Sequence, residues 1–221
     1  GTAGLAVGEV PYGWNEKQQG LFKRPFDFHY QIGPYLYDAA MKSYHSGYPY
    51  TLTPLGIAYP NDANAAEPTH YQWMAGESLL CAPLVKNHES SQMDLYLPEG
   101  PWFDYDTGKK YQGPKLLKNF AMPRDKTPCF VGGKGVLITR ESDDAPLTAR
   151  IYPIIKESSP FIFTHPDGSS QSVITLNSWK GMPVVKNTTT GDVVPVILDE
   201  KSGSVSFALL PGNNYQLNEK N

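Results

Sequence analysis

Residues 29–46 form the one convincing helical stretch, and its faces constrain everything around it. Ile32, Tyr35, Leu36, Ala39 and Ala40 recur at helical spacing along one side, while Tyr30, Pro34, Tyr37, Met41 and Tyr44 make a second apolar stripe. A helix that is apolar on two sides has to be buried on two sides. Gly47 and then Pro49 end it. Pro34 either starts it or kinks it, because proline supplies no N–H to the turn before it. The downstream sequence reads as β material that covers only one stripe. The expectation is that a second partner packs on the other, so that the chain is part of something larger.

Elsewhere the chain is cut into short pieces by 20 glycines and 20 prolines among 221 residues. Residues 1–28, broken by Gly4, Gly8, Pro11, Gly13, Gly20 and Pro25, read as an irregular arm. A strand is expected at 54–60, a turn at 61–64, a short element at 70–74 and an apolar run at 79–85. The alternating stretch 94–97 stops at Pro98, and 102–111 carries a hairpin signal through Asp106-Thr107-Gly108-Lys109. Segments 128–131 and 135–139 read as a strand pair around Gly132-Gly133. The polar run Glu141-Ser142-Asp143-Asp144-Ala145-Pro146 predicts a domain boundary. Beyond it, six short strands are expected at 148–155, 161–165, 171–176, 182–185, 193–198 and 204–210, separated by turn formers. The fold class is therefore mainly β: an N-terminal helical segment (1–50, irregular arm and helix) followed by two antiparallel β-sandwich domains, proximal (51–142) and distal (146–221).

A net charge of −3 supplies no basic field for nucleic acid or anionic lipid. No apolar run approaches the roughly 20 residues that span a bilayer. Neither nucleic acid nor membrane is an expected partner. No phosphate-cradling loop, dinucleotide fingerprint, nucleophile elbow or H-E-x-x-H occurs, so no cofactor is expected. The histidines (His29, His45, His70, His88 and His165) are scattered without metal-ligand spacing, so no metal site is expected. His29, near Asp27, reads as a structural residue at the helix start. Cys81 and Cys129, each in an apolar run, read as buried core thiols, with a bridge between them as the alternative.

Hydrolysis of a glycosidic bond needs two carboxylates facing it. Asp104 and Asp106 lie close in sequence, but the following Thr107-Gly108 makes them turn and edge residues first. Asp143 and Asp144 read as solvated, and Asp167 as a turn former. No catalytic residue is assigned, and substrate-binding residues are left open. Trp14, Trp73, Trp102, Trp179 and 14 tyrosines supply faces that stack on sugar rings when exposed, although aromatics dominate core burial. Trp102 reads as a packing anchor. Trp179, beside Lys180-Gly181, is the candidate for exposure.

The order of these segments resembles the C-terminal part of glycoside hydrolase family 31, the α-glucosidase and α-xylosidase group. Five fragments carry the likeness in order: Tyr30-Gln31-Ile32-Gly33-Pro34-Tyr35-Leu36-Tyr37 with Ala39-Ala40 and His45-Ser46-Gly47-Tyr48-Pro49; Pro54-Leu55 through Tyr59-Pro60-Asn61-Asp62; Tyr71-Gln72-Trp73-Met74-Ala75-Gly76-Glu77-Ser78-Leu79-Leu80-Cys81-Ala82-Pro83-Leu84-Val85; Tyr96-Leu97-Pro98-Glu99-Gly100-Pro101-Trp102-Phe103-Asp104-Tyr105-Asp106-Thr107-Gly108 with Tyr111-Gln112-Gly113; and Thr127-Pro128-Cys129-Phe130-Val131. The likeness runs from about residue 29 to 138 and continues more weakly to the end. It implies the last helix of a (β/α)8 barrel followed by proximal and distal β domains. In the family, two aspartates upstream in the barrel act as nucleophile and acid/base with net retention, and neither maps onto a residue here. Arginines usual in the family are replaced by Gln31, Thr53 and Gly132. The resemblance implies an accessory portion of a retaining α-glycosidase, not catalytic alone, whose partners are the parent's catalytic barrel and oligosaccharide. A stand-alone carbohydrate-binding β-sandwich module is the alternative.

Overall fold

The computed structural model describes residues 15–67, 71–83, 92–122, 127–154 and 159–219. Trp14, His70, His88 and the ends of several expected segments lie outside them. Two helices open the described chain, α1 (Glu16–Gln31) and α2 (Gly33–Ser46). The first corrects the expected irregular arm. Gly20 and Pro25 mask it in the sequence, and tertiary contacts hold it: Arg24 Nη2 pairs with Asp106 Oδ1 at 3.0 Å, and the Phe28 ring meets Tyr105 at 4.9 Å. Pro34 starts α2 within its first turn, where a missing N–H costs nothing. His29 therefore falls in the last turn of α1, not at a helix start. Gly47, left-handed at φ 74°, ends α2 and donates its N–H to Ser43 O.

Strand β1 (Thr53–Pro54) is brief, and α3 (Leu55–Ala58) takes up most of what the sequence predicts as strand 54–60. There follow β2 (Trp73–Ala75), β3 (Leu79–Cys81), β4 (Gln92–Asp104), β5 (Lys110–Ala121) and β6 (Cys129–Val131). They form a six-stranded antiparallel sheet in the order β1-β2-β3-β6-β4-β5. Its central strands are buried on both faces. Leu79, Cys81, Cys129 and Val131 point into one core, while Leu80 and Phe130 point into another with Leu55, Leu95, Leu97 and Trp102.

Strands β7 (Val136–Thr139), β8 (Leu147–Ile151), β9 (Ser159–Thr164), β10 (Gln171–Leu176) and β11 (Val184–Asn187) come next. The last four are β12 (Val193–Val194), β13 (Ile197–Leu198), β14 (Val205–Leu209) and β15 (Tyr215–Asn218). Two sheets result, β13-β14-β8-β7 and β12-β11-β15-β10-β9. All pairings are antiparallel except β10 with β15. The molecule is thus mainly β, as the sequence implies.

Three expectations about organisation are corrected. The polar run at 141–146 is the connection of the β7–β8 hairpin, whose register pairs Thr139 with Thr148 and Val136 with Ile151; polar turn residues look the same in a hairpin loop and in a linker. Strands β6 and β7 do not pair with each other, because Gly132-Gly133 carries the chain from one sheet to the next. The stretch 193–198 is two strands, β12 against β11 and β13 against β14, with Pro195 at the crossing between sheets. One core cluster runs from Ile32 and Tyr35 through Leu79, Val131 and Val136–Ile138 to Phe161, Phe207 and Leu217, so the three sheets share one interior.

Candidate functional site: the helical face and its groove

Helix α2 lies against both β units. Ile32, Tyr35 and Ala39 from the first apolar stripe are buried. Tyr35 shows how closely: its hydroxyl donates to Ala75 O and accepts from Ser78 N, both at 2.8 Å. A Cβ on Gly76, itself at φ +62°, would stand 2.3 Å from that hydroxyl. The second stripe is covered only in its middle. Pro34 is buried and Tyr37 and Met41 are half-buried, with the Tyr37 hydroxyl reaching the turn at Gly168. Tyr30 and Tyr44, by contrast, are 43% and 81% exposed. The distal unit covers more of this stripe than the sequence predicts, because α2 is wedged against β9 as well as β7.

A polar hub makes that wedge. Lys42 Nζ lies 2.8 Å from Asp38 Oδ2 and 2.7 Å from Glu77 Oε2, and 4.5 Å above the Phe161 ring. Asp38 Oδ1 also accepts from Thr164 N at 2.8 Å. Burial raises the Asp38 carboxyl above its ordinary range against the opposing pull of Lys42. Desolvation works against the Lys42 ammonium, but Asp38 and Glu77 outweigh it and raise that group. Only the i, i+4 spacing of Asp38 and Lys42 signals the hub in sequence; Glu77, Phe161 and Thr164 are remote from it.

Beside this wedge the helices stand off the six-stranded sheet and leave an open groove of about 550 Å³. Phe28, Ile32 and Leu36 line it from the helices, and Trp73, Cys81 and Cys129 from the sheet. The two cysteines are direct cross-strand partners, both buried and both free thiols with sulfurs 3.8 Å apart. The hydrogen bond to Cys81, with burial, pushes the Cys129 thiol well above its ordinary range.

The other residues singled out from sequence mostly do structural work. Asp104 Oδ1 accepts from Asp106 N and Thr107 N at 3.0 and 2.8 Å, closing the β4–β5 turn, while Asp106 clamps Arg24. Asp143 is not merely solvated: it accepts the Tyr30 hydroxyl and, at 3.2 Å, Arg140 Nη2. Asp144 is exposed. Asp167 accepts from Ser169 N and Ser170 N, and the Ser170 hydrogen bonds pull its carboxyl down to about 2. Trp102 is buried, its indole N–H donating to Pro98 O at 2.8 Å. Trp179 is half-buried in a shallow cleft with Met182 and Leu198. His45 is exposed beside the Tyr44 ring, and His165 is buried against the Ser172 hydroxyl at 2.8 Å.

Of the three replaced arginines, nothing in the structure explains Gln31, whose backbone carbonyl accepts Arg140 N whatever its side chain. Thr53 is buried and donates to Pro49 O at 2.7 Å. A Cβ on Gly132 would lie 2.3 Å from the Trp102 ring, which leaves no room for a side chain.

Residues 47–137 match the family model described as glycosyl hydrolase family 31 C-terminal domain. That match likens the segment 47–137 to the C-terminal domains of glycoside hydrolase family 31. A 1,6-alpha-glucosyltransferase of Sporosarcina globispora is 28% identical over 205 residues, 90% of this chain and 15% of that protein. An alpha-glucosidase 2 of Bacillus thermoamyloliquefaciens is 24% identical over 170 residues, 74% of this chain and 21% of that protein. Among solved structures, a family 31 dextranase from Flavobacterium johnsoniae complexed with glucose superposes with a TM-score of 0.71 at 21% identity. That superposition covers 91% of this chain and 32% of the dextranase, so the fold is shared over nearly the whole chain. The chain spans about a fifth or less of the length of these two curated relatives.

Proposed function

We propose that the chain is the C-terminal accessory portion of a retaining α-glycosidase of the α-glucosidase/α-xylosidase type, not catalytic alone, with the catalytic barrel of the parent protein as its partner. The observation that carries this reading is the half-clothed helical face. Tyr44 remains exposed on α2, whose opposite side is closely packed, Tyr30 remains exposed on the largely open α1, and a groove lies between the helices and the six-stranded sheet. The likeness of 47–137 to family 31 C-terminal domains and the small fraction of each relative that the chain spans support the same reading. Apolar side chains left open on a packed helix give another polypeptide a surface to cover.

The chemistry agrees. Asp104 and Asp106, the two carboxylates closest in sequence with aromatic neighbours, hold a turn and clamp α1, whereas glycoside hydrolysis needs two carboxyl groups facing one bond. The purified chain is expected to turn over neither an aryl α-glucoside nor an aryl α-xyloside. A barrel polypeptide supplied in trans is expected to co-purify with it. Turnover by the chain alone would reject the reading. Trp179, the aromatic that a stand-alone glycan-binding module would lay open, packs partly against the shared core, which places that alternative second.

A further inference from the structure

A second, larger cleft of about 740 Å³ opens beyond the C-terminal end of α2. Its volume falls within the roughly 300–1,000 Å³ typical of small-molecule sites. Three tyrosines line it, Tyr48, Tyr50 and Tyr59, together with Glu77, Glu99 and Lys134. None of these aromatics belongs to the groove beneath α1 and α2.

The aromatic part is pre-set. Tyr50 N donates to Tyr48 O at 2.8 Å and Gly76 N donates to Tyr50 O at 2.7 Å, which ties this turn to the six-stranded sheet. The Tyr48 and Tyr50 rings lie 4.7 Å apart and tilted by 60°. Tyr59 is half-buried and meets the Trp102 ring edge-on at 6.4 Å. Burial, with a contribution from Tyr48, pushes the Tyr59 phenol up to about 12, so it stays a neutral hydrogen-bond donor. Glu77 is held by Lys42 Nζ at 2.7 Å, and its carbonyl accepts Lys134 N at 3.1 Å.

The charge balance narrows the ligand class. The lining sets two carboxylates against one lysine, and Glu77 is already paired with Lys42, so no strong field of one sign fills the cleft. A phosphate or a free cation would find little to favour it there. A pyranose fits better. Its C–H faces suit tilted tyrosine rings, and its hydroxyls donate to carboxylates and accept from phenols and lysine.

We propose that the cleft formed by Tyr48, Tyr50, Tyr59, Glu77, Glu99 and Lys134 binds a neutral glycosyl unit of an α-glucan. The choice of an α-glucan rests on the function proposed above; the neutral polyhydroxylated class rests on the cleft itself.

The test is calorimetric titration of the 221-residue chain with maltotriose and with isomaltotriose. Saturable binding at millimolar sugar is expected for at least one of them. Tyr50→Ala and Glu99→Gln are each expected to weaken it about tenfold or more, and Trp179→Ala to leave it unchanged. Glu99 is exposed, so its substitution tests the cleft without disturbing the fold. Three results would overturn the proposal: no saturable binding, binding that survives both cleft substitutions, or equal competition by inorganic phosphate. Loss of binding only in Trp179→Ala would place the sugar in the distal cleft and overturn it equally. The accessory role is read separately, through hydrolysis and barrel association, so silence here removes the cleft and leaves that role standing.

Discussion

Single side chains fix how α2 seats on the β units, and Tyr35 does so most clearly. Its hydroxyl satisfies one backbone carbonyl and one backbone N–H inside the core, and burial raises its pKa far above the ordinary phenol value. Tyr35→Phe keeps the ring but strands both backbone groups, so it should destabilise the chain by about 1–3 kcal/mol per stranded group, read by urea unfolding. His165 sets a pH dependence. Burial lowers its pKa, opposed by the nearby Asp167 carboxylate, while Ser172 Oγ and the Phe163 ring edge complete its surroundings. The unfolded chain takes up a proton as pH falls through about 6.5, and the folded chain resists until lower pH. His165 therefore contributes stability that is fully present above about 6.5 and declines as pH falls from there. Asp167, with its carboxyl held near 2, loses its contribution only in stronger acid, below the ordinary carboxylate range. Thermal melts from pH 8 to pH 5 should show a drop that His165→Gln flattens; an identical slope in the variant would contradict this account.

At the scale of elements, the Lys42 hub joins helix, proximal sheet and distal sheet. Lys42→Met leaves the buried Asp38 without its cation and should cost about 3–5 kcal/mol in denaturant unfolding, with Asp38→Asn in the same chain recovering much of the loss. A loss in the double variant equal to the sum of the losses in Lys42→Met and Asp38→Asn alone would show that the pair is not coupled. The sequence discloses α2 well: its apolar spacing, Pro34 and Gly47 each carry a local signal that the structure bears out. Strands β8, β10 and β14 are legible for the same reason, since their burial alternates with the side-chain period. Other elements depend on partners distant in the chain. Helix α1 contains Gly20 and Pro25 and is exposed over much of its length, so its signal lies in Asp106 and Tyr105. The split of 193–198 between two sheets is decided by which strands flank it, and β15, only four residues long, falls outside the six strands the sequence predicts. Of the candidate site, Trp102 was legible as an anchor, whereas the groove and the tyrosine cleft arise where segments up to about a hundred residues apart converge.

Across the whole molecule, one continuous interior joins the three sheets, while α2 is packed chiefly on one side and α1 stands largely open. That asymmetry is what the proposed barrel would complete. Hydroxyl-radical footprinting tests it most directly, comparing the isolated chain with the same chain joined to its catalytic barrel. Tyr30, Tyr44 and Leu52 should label freely in the isolated chain and become protected in the joined protein, while Ile197 on the distal edge strand keeps its labelling. Undiminished labelling of those three side chains in an active, joined enzyme would contradict the account.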